Sequence, residues 1–182
     1  MRYPKVQEAI EFAAAKHRGT DRDGDDPLPY IVHPIEVLSF ARLLGGITDE
    51  DLLTAAALHD TIEDTETTYE EIAVRFGSAV ADHVQGLTRE EPTEAQREGK
   101  SKDEIWMMRS EMLLAEIGRM PAAVLPIKLA DRLSNVREGK KTKKGAKIER
   151  YLGQTRQILK IVPRGVNPAL WDAIQAELPD LP

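Results

Sequence analysis

Apolar residues recur every three to four positions along almost the whole chain. The alternation of a half-buried strand is nearly absent, so the pattern predicts an all-α fold. A first helix is expected from Pro4 to His17, with Val6, Ile10, Ala13 and Ala14 on one face and proline near its first turn. Gly19 to Pro29, rich in Asp, Gly and Pro, reads as a loop, and His33-Pro34 opens a helix that runs to Leu44 and stops at Gly45-Gly46. Thr48 or Asp49 then caps a helix carrying Leu52, Leu53, Ala56 and Ala57, which is expected to continue through His59, Asp60, Glu63 and Asp64. Thr67 to Glu71 has the spacing of a capping box for a short helix ending at Gly77, and a second short helix follows from Ser78 to Leu87. Arg89 to Lys102 reads as a solvated connection before a helix from about Asp103 to Met120. Pro121 starts the next helix, with Lys128, Asp131 and Asn135. Beyond the basic stretch Arg137 to Lys147 lie a helix with Ile148, Leu152, Ile158 and Leu159 and a last one capped by Asn167.

A length of 182 residues with 41% hydrophobic side chains supports one core, so residues 1–182 are read as a single domain. The 25 Lys and Arg against 31 Asp and Glu leave a net charge of −6 with both signs interleaved, which argues against a nucleic-acid or membrane-surface binder. Apolar runs such as Leu52 to Leu58 fall far short of the ~20 residues that span a bilayer. Met1-Arg2-Tyr3-Pro4 leads into an amphipathic helix rather than a signal-peptide core, so a cytoplasmic protein is expected. Without cysteine there is no disulfide or thiolate chemistry, and any metal site must be built from His, Asp and Glu.

In a continuous helix His59 lies beside Glu63 and Asp60 beside Asp64, so four ionisable groups converge on one turn of an otherwise apolar helix. A bound cation would offset their repulsion. Imidazole with carboxylates suits Mn, Fe, Co, Ni or Zn rather than Ca or Mg, and His33 and Asp131 are the best candidates for the remaining ligands. Taken singly, each feature is ordinary: a His-Asp pair caps a helix, and an Asp-Arg pair is a surface ion pair. Their joint occurrence points to a site. His17 and His83 are expected on helix surfaces, and Gly139 to Gly145 as a flexible loop.

Four segments carry a family resemblance: Pro29-Tyr30-Ile31-Val32-His33-Pro34, His59-Asp60-Thr61-Ile62-Glu63-Asp64-Thr65, Phe76-Gly77 with Gly86-Leu87-Thr88, and Lys128-Leu129-Ala130-Asp131-Arg132-Leu133-Ser134-Asn135-Val136-Arg137. In this order they resemble the HD-domain metal-dependent phosphohydrolases, and within them the RelA/SpoT hydrolase domain in its stand-alone form, the small alarmone hydrolases. The resemblance implies a helical bundle holding Mn²⁺ on His33, His59, Asp60 and Asp131, with Glu63 and Asp64 as the catalytic pair. It also implies that Arg22, Asn135 and Tyr151 bind a small-molecule nucleotide substrate.

The implied reaction removes the 3′-diphosphate of ppGpp or pppGpp, giving GDP or GTP and pyrophosphate. One departure stands out: Arg22 is followed by Asp23-Gly24-Asp25-Asp26, where the family often has a lysine, and this acidic run repels phosphate. Two alternatives follow. One is the same chemistry on another nucleotide, such as the 2′-phosphate of NADPH; for the alarmone itself, Arg109 or the basic residues Lys140, Lys141, Lys143, Lys144, Lys147 and Arg150 would compensate for the missing lysine. The other is a binding module without turnover. The oligomeric state is not legible in the sequence.

Overall fold

The computed structural model describes residues 3–22, 24–25 and 27–179. The Met1-Arg2 start, and Asp23 and Asp26 of the acidic run, lie outside the described residues. Helix α1 spans Pro4–Lys16, and α2, Val32–Ser39, widens into a π turn over Phe40–Leu44. Then come α3 (Glu50–Leu58), α4 (Thr61–Asp64), α5 (Tyr69–Phe76), α6 (Ser78–Leu87), α7 (Glu94–Arg97), α8 (Lys102–Arg119), α9 (Leu125–Thr142) and α10 (Ala146–Ile161). A 3₁₀ turn over Arg164–Val166 precedes α11 (Pro168–Glu177). Among the described residues the only extended pairing is an isolated bridge between Asp21 and Pro29, so the fold is all-α.

Two helices organise the packing: α3 lies against α1, α2 and α6, and α9 lies against α2, α10 and α11. Helix α2 joins the two halves, and one buried apolar cluster runs from Ala9 to Leu178. Asp49 caps α3 by accepting from the Leu52 amide at 2.9 Å. Every residue from Leu53 to Leu58 is buried, three of them alanines, and small side chains let three neighbours close on one helix. Gly45 ends the π turn where a Cβ would meet the Ala41 carbonyl oxygen at 2.9 Å and Leu170 Cδ1 at 2.8 Å, and the backbone oxygen cannot move aside as the leucine can.

The expected helix through His59 and Asp64 is instead broken. The Thr61 hydroxyl donates to the Leu58 carbonyl at 2.7 Å and His59 Nδ1 to the Ala56 carbonyl at 2.9 Å, so side chains take carbonyls that a continuing helix would use. The backbone restarts when the Asp64 amide donates to the Asp60 carbonyl at 2.9 Å.

Other expectations shift as well. Thr68 caps α5, while Glu71 pairs with Lys16 of α1 and so does not close the expected capping box. The connection from Arg89 to Lys102 contains α7, held by a capping box between Thr93 and Gln96. Residues Pro121 to Val124 form a turn, and α9 begins at Leu125 with Pro126 in its first turn. The stretch expected as a loop from Gly139 is helical through Thr142, with Gly139 buried against the Tyr151 ring. No helix among the described residues is long and apolar enough to cross a membrane.

Candidate metal and active site

His33 enters from the first turn of α2, His59 and Asp60 from the break between α3 and α4, and Asp131 from the middle of α9. The two Nε2 atoms lie 3.2 Å apart. Asp60 Oδ2 is 3.4 Å from His33 Nε2 and 3.0 Å from His59 Nε2; Asp131 Oδ1 is 3.4 Å and 3.9 Å from them. Both imidazoles are 2% exposed and Asp131 is buried, while Asp60 is half-buried at the edge of the group.

The outer hydrogen bonds assign the tautomers. His59 Nδ1 donates to the Ala56 carbonyl, and His33 Nδ1 lies 2.9 Å from Ser134 Oγ. Ser134 donates its own hydrogen to Glu36, so its oxygen accepts from His33. With both rings neutral, the two Nε2 atoms turn lone pairs toward each other and toward two carboxylates, a repulsive set that a proton or a metal cation relieves. Histidine ligands of metals show this same outer bonding. His33, His59 and Asp60 bring ligand atoms close enough to share one ion, and two imidazoles with a carboxylate suit a divalent transition metal; Asp131 Oδ1, 3.4 Å from His33 Nε2, is the adjoining carboxylate. The cluster also attracts protons. Burial opposes a charge on His33, yet hydrogen bonding to Asp131 and Asp60 outweighs it and pushes the pKa up to about 9. Both aspartates, despite burial, are held well below the usual carboxylate range by the histidines and, for Asp131, by Lys128. The Tyr30 hydroxyl adds a 2.6 Å bond to Asp60 Oδ2.

The cluster forms the floor of a cavity of about 360 Å³, walled by α8, α9, α10 and the start of the segment after α6. Four carboxylates (Asp60, Glu63, Asp64 and Asp131) and four cations (Arg89, Arg109, Lys128 and Arg132) line it, so a bound dication tips the balance toward anions. Burial raises the pKa of Glu63, partly offset by Arg89, whose guanidinium donates to Glu63 Oε1 at 2.7 Å. Lys128 pairs with Asp131 Oδ2 at 3.0 Å.

The three substrate-binding candidates are not brought together. Asn135 lines the cavity and its amide donates to Asp131 Oδ1; Tyr151 lines it from α10. Arg22 does not line it. Its side chain is clasped by Glu138, Nε to Oε1 at 2.7 Å, in an adjoining cavity behind His33. His17, expected on a helix surface, is buried at the end of α1, its ring stacked on Tyr30 with centroids 4.6 Å apart. Its Nε2 has no hydrogen-bond partner, and burial lowers its pKa. Arg89, Trp106 and Arg132 line the cavity from positions that sequence reading left among solvated or structural residues.

A helical domain in which a His-Asp doublet meets a histidine and an aspartate from two other helices is an HD domain, and the HD domain family model matches residues 9–159. The chain is 35% identical over 173 residues to a guanosine-3′,5′-bis(diphosphate) 3′-pyrophosphohydrolase, MESH1, of Danio rerio, covering 92% of this chain and 89% of that protein. It is 40% identical over 133 residues to the corresponding enzyme of Aquifex aeolicus, covering 73% of this chain and 17% of the much longer relative. A solved structure described as a metazoan orthologue of SpoT that hydrolyses ppGpp superposes with a TM-score of 0.81 at 27% identity, over 96% of this chain and 93% of that one. The chain belongs to the HD-domain family, in its RelA/SpoT hydrolase branch.

Proposed function

We propose that this chain hydrolyses the 3′-diphosphate of guanosine alarmones, ppGpp and pppGpp, releasing pyrophosphate and GDP or GTP, as a single domain over residues 1–182 in the cytoplasm. The reading is carried by the cluster in which both imidazole Nε2 atoms converge on a pair of carboxylates, at the floor of a cavity lined by charges of both signs. Relatives that match over nearly the whole chain and are named for this reaction support it.

His33, His59, Asp60 and Asp131 would hold the metal, with Mn²⁺ as the proposed resident ion. When bound, such an ion lowers the pKa of a water and polarises a phosphoryl group. The chain's own residues do the rest. Cleavage of the ester at the 3′-oxygen consumes a water, and the departing oxygen takes up a proton. Glu63 and Asp64 line the cavity beside the ligands and are assigned to hold and move that proton. Asn135 and Tyr151 contact the nucleotide, and Arg22 contributes only if the Glu138 clasp opens.

The clasp favours a second reading, the same chemistry on another nucleotide such as the 2′-phosphate of NADPH, because the loop arginine is already paired. Product analysis with Mn²⁺ on ppGpp, pppGpp and NADPH in parallel, with a chelator control, separates the two. Metal-dependent pyrophosphate from ppGpp supports the first reading. Orthophosphate from NADPH alone moves the substrate, and no product from any of the three leaves a binding module.

A further inference from the structure

Arg132 follows Asp131 on α9 and is only 5% exposed, yet it lines the same cavity. Its Nη2 donates to Gln154 Oε1 at 3.0 Å, and Gln154 Nε2 donates to Ser110 Oγ at 2.8 Å. The guanidinium carbon sits 4.8 Å from the centre of the Tyr151 ring. Gln154, itself held by Ser110, and the Tyr151 ring thus fix the fork without neutralising it.

The other terminal nitrogen, Nη1, is buried and has no hydrogen-bond partner. Among the described residues no carboxylate approaches this guanidinium, whereas the other cavity cations have acidic partners: Lys128 with Asp131, Arg89 with Glu63 and Glu91, Arg109 with Glu91. A permanently charged, buried group with an unused donor is costly unless an anion completes it.

We infer that Arg132, held by Gln154 and Tyr151, is a phosphate subsite that takes the outer phosphate of a diphosphate whose inner phosphate lies at the His33–Asp131 cluster. It thereby selects 3′-diphosphates over monophosphates. This rests on the hydrolase reading above and names what the cavity measures. Asp131 and Arg132 are consecutive on one helix and open into one cavity, so the cluster and the guanidinium address neighbouring groups of one small ligand. A guanidinium matches phosphate oxygens in geometry as well as charge. A monophosphate seated at the cluster leaves Nη1 without its partner.

The test is calorimetry of inorganic pyrophosphate and of orthophosphate at one fixed free Mn²⁺ concentration, on the parent, Arg132→Gln and Arg132→Lys. Alongside it, kcat/KM is measured for ppGpp and for its 3′-monophosphate counterpart. The parent binds pyrophosphate the more tightly. Arg132→Gln loses at least tenfold in pyrophosphate affinity and in the diphosphate-to-monophosphate kcat/KM ratio, with orthophosphate binding within twofold of the parent. Arg132→Lys recovers part of the loss. Equal weakening of both anions, or no change in either, overturns the subsite. If Arg132→Gln does not fold by circular dichroism, Gln154→Met, which keeps the charge and frees the fork, shows a smaller loss confined to pyrophosphate; a loss shared by both anions overturns the proposal. A parent that binds pyrophosphate through Arg132 but cleaves no alarmone keeps the subsite and refutes the hydrolase reading. Cleavage of ppGpp with pyrophosphate binding indifferent to Arg132 does the reverse.

Discussion

His33 Nε2 and His59 Nε2 face each other across 3.2 Å, each ring's other nitrogen already hydrogen-bonded. Such a pair is stable only around a positive charge, so removing metal from the folded protein costs stability. A ligand present at a hundredfold excess over its Kd stabilises by about 2.7 kcal/mol, and for a chain of this size that is on the order of 5–10 °C in Tm. Scanning calorimetry with and without chelator checks the shift. Asp131→Ala melts at the same temperature in both conditions; a persistent metal-dependent shift would place the ion elsewhere.

The link from Glu36 through Ser134 to His33 predicts a loss without direct contact. Ser134→Ala frees the Nδ1 hydrogen, and metal affinity falls roughly 10–100-fold while helix content stays that of the parent. Glu36→Gln gives a smaller change in the same direction. Competition with a fluorescent chelator measures both.

Asp64 lines the cavity beside the cluster, and the proposed metal ligands do not include it. Asp64→Asn therefore keeps metal content and lowers turnover by roughly 10²–10⁴-fold, the range expected for removing a proton-handling group. Metal analysis and a pyrophosphate release assay on one preparation separate this from loss of the ion.

Arg89 holds down a Glu63 pKa that burial raises. Arg89→Gln removes the favourable charge, so the Glu63 pKa climbs further and the limb of the pH–rate profile that reports it moves to higher pH. A profile that only drops in height, with its midpoints in place, would assign Arg89 to binding alone.

His17 is buried as the neutral imidazole, its pKa below the ordinary value of 6.5. Above about pH 6.5 neither folded nor unfolded chain is protonated there. As pH falls below that value the unfolded chain takes up a proton first, and stability is lost. His17→Phe keeps a ring against Tyr30 and removes this dependence. Urea denaturation at pH 7.5 and 5.5 in chelator shows a smaller difference for the variant than for the parent.

Helical spacing made the bundle legible, because apolar faces such as those of α1 and α3 repeat locally. What escaped was set by partners distant in sequence. His17 ends a helix like any surface histidine until Tyr30, in the following loop, covers it. Arg22 looked available for a nucleotide, but its counter-charge Glu138 lies 116 residues away. The basic run after Arg137 does not end its helix, because lysine marks solvent and not disorder: α9 continues to Thr142, with Lys140 pairing Glu177. Arg132 carried no signal beyond its motif, since an unsatisfied guanidinium is a property of packing.

The break after Leu58 sets what kinds of chain change this chemistry tolerates. Successive residues of an unbroken helix point about 100° apart, yet His59 and Asp60 both reach His33 Nε2. The doublet therefore operates at a seam between two helices. A one-residue insertion or deletion between Leu58 and Thr61 would leave both helices able to form and swing one member of the doublet away. Drift in length is harmless in exposed turns and ruinous here, so grafting this chemistry onto another bundle requires copying the seam along with the four ligands.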